Sequence, residues 1–332
     1  MPDQARLVLV LTENWTIAPP TDPAVLIDLA RQAEAAGIDA VMLSEHIVMG
    51  PSSASQGLMG NPRDYALPGN QDPATPWPSS IVLMSAIAAS TTRLRLAGAA
   101  ILAPLRHPLL LARELGTLDL LARGRLVVLP SVGWHRDEYD ALGVDFKRRG
   151  RILDEQLTIM RSAWRESPSR FAGEHFRFDD IWLEPKAYRP EGPTLWFGGA
   201  EVHPALVRRL AAYGSGFNPL GTISDEGLDT LADGMRAAGR DPAELELVGG
   251  LRGTFPDNDS TADLADAIED AVPAQLARGF TSFCFKPNQF TDDIGHWSEV
   301  CAEAVARVDE VVDRAGGIGV AADAVAKMGT KS

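Results

Sequence analysis

Three short segments of this chain hold residue types that can do chemistry, and each follows an apolar run. Residues 44–46 (Ser-Glu-His) put a carboxyl beside an imidazole, a group that donates or accepts a proton near neutral pH. Residues 131–138 add a serine, a tryptophan, a histidine and two carboxyls. Residues 198–200 (Gly-Gly-Ala) leave the backbone free to approach a flat or phosphorylated ligand. Together the three segments indicate a site that binds a cofactor and moves protons.

The stretches around these segments alternate between apolar runs and amphipathic helices. Residues 94–102 and 126–129 show little polar alternation, which is typical of strands buried on both faces of a parallel sheet. Pro108 suits the first turn of the helix that connects them, and Gly124 follows its end. The predicted strands are residues 6–11, 39–43, 94–102, 126–129, 194–197, 215–218, 245–251 and 281–285. The predicted helices are residues 22–36, 79–90, 109–121, 147–164, 204–213, 225–238, 261–277 and 294–314.

About eight strand and helix pairs predict a (βα)8 TIM barrel with loop insertions. An open doubly wound sheet is the alternative, because periodicity alone does not show closure. We expect one barrel domain over residues 1–314, since 332 residues with 45% hydrophobic composition can bury one large core. Residues 47–78 predict a long loop of the kind that forms lids and binding sites. Residues 170–184 predict a hairpin insertion, and residues 315–332 a tail of unknown role.

The composition argues against several classes of protein. A net charge of −14 and the lack of a basic stripe argue against nucleic-acid binding. Cys284 and Cys301 fit small buried hydrophobes in a reducing compartment rather than a disulfide framework. The first residues lack a basic n-region, and no apolar run reaches the length of a membrane span. We therefore expect a cytoplasmic protein that binds neither nucleic acid nor membrane.

Other cofactor and catalytic motifs fit this chain poorly. Residues 317–322 match the dinucleotide-binding fingerprint as a string, but no βαβ unit follows them. No P-loop occurs. The six histidines include no His-x-His pair and no His-Glu-x-x-His motif, so we expect no metal site. Ser131 lacks the first glycine of a nucleophile elbow, which argues against a serine hydrolase.

Six short motifs, taken together and in order, resemble the bacterial luciferase-like monooxygenase family. Within that family they look most like the branch that uses the deazaflavin coenzyme F420. The resemblance covers residues 7–311, and an ordered set of six motifs is more specific than any one of them alone. The motifs are residues 44–46, 98–108, 124–125, 132–139, 148–151 and 198–199.

The resemblance implies roles for particular residues. His46 matches a histidine beside the reactive ring carbon, where it would be the proton partner of hydride transfer. Glu45 matches an acidic residue that orients the imidazole or contacts the ring. The alternatives are a structural histidine at the strand end and a loop-facing carboxylate. Ala99, Ala100 and Ile101 match a bulged strand with a non-proline cis peptide behind the ring, placed at the bond from Ala100 to Ile101, and a plain buried strand is the alternative.

Further implied contacts surround the same cofactor. Gly198, Gly199 and Ala200 match the loop whose backbone N–H groups hold the cofactor phosphate, next to the N-terminus of a helix. Arg106 and Arg136 would offset phosphate or polyglutamyl charge, although surface solvation is the more common fate of an arginine. The other predicted cofactor contacts are Ser131, Gly133, Asp137 and Phe217. The predicted apolar wall of the substrate pocket consists of Met49, Trp77 and Trp134, each of which has ordinary core packing as its alternative.

Two departures from the family pattern bear on function. Residues 129–131 (Leu-Pro-Ser) stand where the family usually shows Gly-Val-Gly, which puts the usual backbone contact there in doubt. Trp134 stands where sugar-phosphate dehydrogenases of the family carry a glutamate, which argues against that substrate class.

The resemblance as a whole implies an F420-dependent oxidoreductase that passes a hydride between the deazaflavin ring and a small organic substrate. A homodimer is expected, as relatives commonly dimerise. The first alternative is an FMNH2-dependent two-component monooxygenase, which would use FMN and a separate reductase. The second alternative is a non-catalytic cofactor-binding barrel, suggested by the missing Gly-Val-Gly.

Overall fold

The computed structural model describes residues 4–329, and within that range we number strands and α-helices in chain order. The strands are β1 (Arg6–Val10), β2 (Ala40–Leu43), β3 (Arg95–Leu102), β4 (Leu126–Ser131), β5 (Ser169–Ala172), β6 (Arg177–Ile181), β7 (Thr194–Phe197), β8 (Gly216–Phe217), β9 (Glu246–Gly250) and β10 (Ser282–Phe285). The helices are α1 (Pro23–Ala35), α2 (Ser80–Ser90), α3 (Pro108–Leu121), α4 (Arg136–Ala141), α5 (Arg149–Arg165), α6 (Pro204–Tyr213), α7 (Asp225–Ala237), α8 (Leu264–Leu276), α9 (Trp297–Arg314) and α10 (Gly319–Lys327).

Eight parallel strands close into a barrel in the order β1, β10, β9, β8, β7, β4, β3 and β2. Closure occurs at β1, where Val8 pairs with Ala40 of β2 on one side and with Cys284 of β10 on the other. Every barrel strand is followed along the chain by at least one helix. The predicted (βα)8 barrel is therefore confirmed, and the open doubly wound sheet is excluded.

The barrel strands are apolar on both faces because both faces are covered. On β1, Leu7 and Leu9 belong to the core shared with the helices, whereas Val8 and Val10 belong to the cluster inside the barrel. The fully buried Trp196 of β7 lies in the same inner cluster. Strands of this kind appear in the sequence as continuous apolar runs, and these runs allowed the strands to be predicted.

An ion pair crosses the barrel at the amino ends of its strands. Arg95 on β3 donates hydrogen bonds of 2.9 and 2.7 Å to the carboxylate of Glu246, which lies on the opposite strand β9. Ser282 donates to the same carboxylate, and a guanidinium nitrogen of Arg6 lies 3.5 Å from it. Burial raises the pKa of Glu246, but the hydrogen bonds and charge of Arg95 outweigh it and hold that pKa below its usual value.

Strands β5 and β6 pair antiparallel as a hairpin, outside the barrel sheet, between α5 and β7. The carboxylate of Glu155 on α5 accepts the backbone N–H groups of Glu174, His175 and Phe176 at 2.7 to 3.2 Å. These three residues form the turn of the hairpin. One helical side chain therefore holds the hairpin in place through backbone contacts.

The chain after α9 continues as helix α10, which the sequence patterns left unassigned. Ala321 and Val325 are buried against the hydrophobic core, so this part of the tail completes the outer layer of the barrel. Cys284 lies in β10 and Cys301 in α9, and both thiols are buried and unbridged. Burial raises the pKa of each thiol to about 12, as expected of structural cysteines.

Two absences hold for residues 4–329. None of their helices is long and apolar enough to cross a membrane. No group of three or more His, Cys, Asp or Glu side chains among them is arranged to hold a metal ion.

Candidate active site

The carboxyl ends of the barrel strands meet at one mouth, where the sites of TIM barrels are built. Small residues with partly exposed surfaces line part of it: Ala99 and Ala100 on β3, Gly198 and Gly199 after β7, and Gly250 on β9. Since no bulky side chain arises from these positions, a flat ring can approach the strand ends there. The residues present therefore fit a flavin or deazaflavin ring in shape.

Strand β3 changes register at the mouth. Ala99 pairs with Leu129 and Ile101 pairs with Pro130, so Ala100 is the extra residue of a bulge. The non-proline cis peptide joins Ala99 to Ala100. The prediction that it joins Ala100 to Ile101 is wrong by one bond. The motif located the bulge, but nothing in a run of small apolar residues distinguishes the bond before Ala100 from the bond after it.

His46 follows β2 and lies among aromatic side chains at the mouth. Its side chain is 8% exposed, and its Nδ1 lies 3.3 Å from Oε2 of Glu138. The two groups are not aligned as a hydrogen bond, and neither atom has another hydrogen-bond partner among the described residues. The ring centroids of Trp77, Trp134 and His135 lie 5.1, 5.6 and 6.2 Å from that of His46. Because Nδ1 faces Glu138, Nε2 is the nitrogen left to meet a ligand.

Glu138, on α4, is fully buried. Its Oε1 accepts the backbone N–H groups of Ile47 at 2.8 Å and Val48 at 3.4 Å. A buried carboxylate requires such partners, since an unpaired one is costly to bury. These bonds fasten the chain after His46 to α4 and leave Oε2 directed at the imidazole.

His135 and Asp137 fasten the next part of the same loop. The Nε2 atom of His135 accepts the backbone N–H of Gly50 at 2.8 Å, so this nitrogen carries no proton. Burial lowers the pKa of His135, which agrees with a neutral ring. The carboxylate of Asp137 accepts the backbone N–H of Ser52 at 3.0 Å, and this bond lowers the pKa of Asp137. The predicted cofactor contact Asp137 is therefore an anchor of the loop.

Glu45 does not orient His46. Its carboxylate forms an ion pair with Arg106 through two hydrogen bonds of 2.8 Å and also accepts a backbone N–H from the end of β3. The predicted orienting role is wrong because both carboxylate oxygens of Glu45 are taken by Arg106 and by the N–H of Leu102. Arg106 is committed to this pair. Arg136 is exposed and lies over the ring of Phe146 at 4.8 Å, and its role as a counter-charge for a cofactor stays a prediction.

Two further predicted cofactor contacts are core residues. The side chains of Ile101 and Phe217 are fully buried in the core between the barrel and the helices, so they do not reach the mouth. Ser131 and Gly133 are partly exposed after β4 and remain near the mouth. The hydroxyl of Ser131 accepts the N–H of Gly133 at 3.1 Å, which closes a tight turn where the family pattern has a glycine.

The Gly-Gly-Ala segment follows β7. A Cβ atom on Gly198 would come within 1.9 Å of the carbonyl oxygen of Asn218, so packing between strands already requires glycine there. Gly199 is partly exposed and has no such close neighbour, and Ala200 is exposed. The segment leads into α6, where the ring of His203 caps the first turn by accepting a backbone N–H. Backbone donors that remain for an anion therefore come from residues 199–201.

Three indole rings form an apolar wall beside His46. Trp77 and Trp134 contact its imidazole, and the ring of Trp15 meets that of Trp77 edge-on at 5.8 Å. Met49 is partly buried in the loop after His46. Trp15 was not among the residues predicted for this apolar wall. Its position shortly after β1 was the one feature of the sequence that could have indicated it.

The middle of the long loop crosses the mouth on the side of β1, β9 and β10, and we call residues 61–66 the lid segment. Tyr65 packs against the inner cluster of the barrel, and its hydroxyl donates to the carbonyl of Leu251 at 3.0 Å. Arg63 forms an ion pair with Asp292, which lies after β10. The lid segment is thus closed over one side of the mouth.

A buried charged pair lies under the lid segment, with Lys286 after β10 and Glu13 after β1. Lys286 is 0% exposed, and its Nζ donates to the backbone carbonyl of Asp64 at 2.5 Å. Oε2 of Glu13 lies 3.8 Å from that Nζ, and the ring centroids of Trp15 and Tyr65 lie 4.7 and 5.7 Å from it. Burial lowers the pKa of Lys286 to about 8. No sequence motif includes Lys286 or Glu13. The available signal for both was their position just after the end of a predicted strand.

Comparisons of the sequence with characterised and uncharacterised proteins agree with this architecture. An uncharacterized protein of Mycobacterium tuberculosis is 35% identical over 217 residues, which make up 64% of this chain and 74% of that protein. The FMNH2-dependent dimethylsulfone monooxygenase of Pseudomonas fluorescens is 29% identical over 201 residues, or 58% of this chain and 53% of the monooxygenase. The chain thus spans about half of the length of that enzyme.

Solved structures share the fold at low sequence identity. An F420-dependent secondary alcohol dehydrogenase, solved with an F420–acetone adduct, superposes with a TM-score of 0.70 at 16% identity, covering 92% of this chain and 99% of that one. The monooxygenase RslO1 from Streptomyces bottropensis gives a TM-score of 0.58 at 19% identity, covering 98% and 89% of the two chains. The model of the luciferase-like monooxygenase family matches residues 6–330. This chain therefore belongs to the luciferase-like monooxygenase family.

Proposed function

We propose that this chain is a coenzyme F420-dependent oxidoreductase that transfers a hydride between the deazaflavin ring and a small organic substrate. The observation that carries the proposal is the position of His46, at a mouth lined by small residues and with Nδ1 beside the buried Glu138. The shared fold of the F420-dependent secondary alcohol dehydrogenase supports it.

The chain's own residues would hold such a cofactor in two places. Ala99, Ala100 and Gly250 leave one side of the mouth open to a flat ring. Backbone N–H groups of residues 199–201 precede the N-terminus of α6, and both features attract a phosphate. When bound, the deazaflavin supplies a ring carbon that carries the hydride.

His46 is the proposed proton partner of the transfer. An alcohol that gives up a hydride must also lose its hydroxyl proton, and a carbonyl that accepts a hydride must gain a proton. Nε2 of His46 is the atom placed to take or return it, while Glu138 holds the ring from the other side. Trp77 and Trp134 shield the imidazole from water and favour a substrate with an apolar body.

The second candidate function is an FMN-dependent monooxygenase supplied with reduced flavin by a separate reductase. The observation in its favour is the similarity to the FMNH2-dependent dimethylsulfone monooxygenase. Reduced flavin reacts readily with oxygen, whereas a reduced deazaflavin does so poorly, and oxygen uptake therefore separates the two candidates.

The deciding experiment is a pair of fluorescence titrations of the purified protein, one with F420 and one with FMN. We expect F420 to bind at least about tenfold tighter, a difference of roughly 1.4 kcal/mol. Turnover is then followed with F420 on a panel of alcohols and carbonyl compounds, with oxygen uptake recorded in parallel. The variant His46→Asn, in which we expect turnover to fall, is compared with His296→Asn, in which we expect it unchanged because this histidine just before α9 is 59% exposed.

Two outcomes would overturn the proposal. Preference for FMN, together with oxygen uptake when reduced FMN is supplied, would replace it with the monooxygenase. Binding of F420 without turnover on the whole panel, or binding of neither cofactor, would favour a non-catalytic barrel, in line with Leu129, Pro130 and Ser131 at the position of the family's Gly-Val-Gly.

A further inference from the structure

Lys286 is a buried ammonium with few partners. It has three protons to donate, and within residues 4–329 it makes one hydrogen bond, to the backbone carbonyl of Asp64. The nearest carboxylate oxygen, Oε2 of Glu13, lies 3.8 Å away, beyond hydrogen-bonding distance. The rings of Trp15 and Tyr65 cover much of the remaining surface. The closed lid segment therefore buries a charge that it does not fully compensate.

Both partners from the loop side belong to the lid segment itself. Asp64 supplies the carbonyl and Tyr65 one of the two rings, so opening of residues 61–66 would expose Lys286 to water. The first part of the long loop is different, because Glu138, His135 and Asp137 bond its backbone to α4. The first part of the loop is thus fixed to α4. Closure of the lid segment, in contrast, removes the ammonium of Lys286 from water, which is unfavourable.

We propose that Lys286 favours opening of the lid segment, because its ammonium is buried under residues 61–66 with a single hydrogen bond from the described part of the chain. Opening in turn keeps the mouth accessible to ligands. Contacts such as those of Arg63 with Asp292 and of Tyr65 with Leu251 favour the closed loop. The balance between these contacts and the buried charge sets how often the segment opens. The proposal does not depend on which cofactor binds.

The pKa of Lys286 gives the sign of a pH effect. Burial lowers this pKa from the usual 10.5 to about 8, while the charges of Glu13 and Asp64 act in the opposite direction. In the open loop the solvated amine regains its usual pKa. Between these two values the closed form has lost the proton and the open form keeps it, so opening takes up a proton. Opening therefore becomes less favourable as the pH rises from 8 to 10.5.

The charged and titratable groups around Lys286 are few. Glu13, after β1, is bonded to Ser44 and to the N–H of Ala66. The side chain of Asp64 pairs with Arg252, which is largely exposed. The pKa of the Tyr65 hydroxyl is raised far above its usual value by burial, so Tyr65 stays neutral over this pH range.

The test is hydrogen exchange at pH 7 in the ligand-free full chain, read by mass spectrometry on a peptide that contains residues 61–66. The N–H of Ala66 donates to Glu13 at 3.3 Å in the closed lid segment, and we expect this bond to break when the segment opens, so its exchange should report closure. Lys286→Met keeps the apolar part of the side chain against the rings but removes the ammonium, its charge and its hydrogen bond to Asp64. We expect exchange in residues 61–66 to become on the order of tenfold slower.

Two matched variants test whether the charge of Lys286 favours or opposes opening of the lid segment. Arg252→Met removes an exposed ion pair to the same Asp64, and we expect unchanged or slightly faster exchange. Glu13→Gln removes the charge that partly offsets the ammonium but keeps an oxygen that can accept the N–H of Ala66. We expect faster exchange in residues 61–66 than in the unmodified chain at pH 7, and a smaller difference at pH 10, where the amine in the closed form is neutral. The Glu13→Gln variant also covers the case in which Lys286→Met does not fold.

Unchanged or faster exchange in Lys286→Met would overturn the proposal, because the ammonium would then not favour the open loop. Slower or unchanged exchange in Glu13→Gln would overturn it as well. A second measurement follows acrylamide quenching of tryptophan fluorescence from pH 7 to 10. Quenching should fall with pH in the unmodified chain and stay level in Lys286→Met, and equal slopes in the two proteins would contradict the linkage to Lys286.

Discussion

The ion pair between Arg95 and Glu246, at the amino ends of the barrel strands, predicts a loss of stability whose magnitude follows from its contacts. Arg95→Met removes two hydrogen bonds and one charge from the buried carboxylate of Glu246. Removing one partner of a buried pair costs about 3 to 5 kcal/mol. Arg6 and Ser282 remain as partners of Glu246, so we expect the lower end, a loss of about 3 kcal/mol in the free energy of unfolding.

The loss should depend on pH in a defined direction. In the unmodified protein the pKa of Glu246 is held below its ordinary value of 4.5, so the pair stabilises the fold above that value and ceases to do so as the pH falls through the lowered one. In Arg95→Met the carboxylate is costly only while it is ionised. The difference between the two proteins should therefore be largest at neutral pH and shrink on acidification.

The assay is guanidinium unfolding of the unmodified chain and Arg95→Met at pH 7 and at pH 4. The double variant Arg95→Met with Glu246→Gln should recover most of the loss, because Gln still accepts the hydrogen bond from Ser282 but carries no charge. Arg113→Met, at an exposed position on α3, is the control and should stay within about 0.5 kcal/mol. A cost for Arg95→Met below about 1 kcal/mol at pH 7, or one that does not change with pH, would refute the reasoning.

Three further predictions concern the site and the surface. His46→Ala should lower turnover by about 10² to 10⁴ while the Kd of the cofactor, measured by titration, changes little; full turnover would remove His46 as the proton partner. Glu138→Leu should cost about 1 kcal/mol of stability and speed hydrogen exchange in residues 47–52, because two partly buried N–H groups lose their acceptor, whereas Glu138→Gln should do neither. We propose that the apolar surface of α2 and α3, where Val82 is 70% and Leu110 is 60% exposed, joins two copies of the chain. Val82→Glu combined with Leu110→Glu should then convert a dimer to a monomer in light scattering, and an unchanged mass would place the contact elsewhere.

The barrel was predictable because its signal is local and repeated. A strand covered on both faces is apolar at every position, and residues 126–129 show this without reference to the rest of the chain. The structure extends that strand to Ser131, past a proline that the pattern suggested as its end. Short polar helices left no such signal, which is why α4, with its sequence Arg-Asp-Glu-Tyr-Asp-Ala, appeared as part of a loop.

The pairing of side chains was not predictable from spacing. His46 and Glu138 are 92 positions apart in the chain, and their contact depends on how a loop after β2 packs on a helix after β4. Glu45, next to His46 in sequence, pairs instead with Arg106, 61 positions further along the chain. Strand ends identify which residues meet at the mouth, but the rotation of each side chain is set by tertiary contacts that a single sequence does not reveal.

The attachment of the β5–β6 hairpin to Glu155 has a consequence for engineering. Because the carboxylate binds three backbone N–H groups, most of what positions the turn does not depend on which side chains the turn carries. The side chain of Glu174 adds an exposed ion pair with Arg148, which contributes little. The side chain of Glu174 at its tip is exposed, so a fluorophore or an affinity label at that position would cost the exposed ion pair with Arg148 but leave the three backbone bonds to Glu155 in place. For the same reason, we expect substitutions in the hairpin to have little effect on the stability of the barrel, provided that Glu155 is retained.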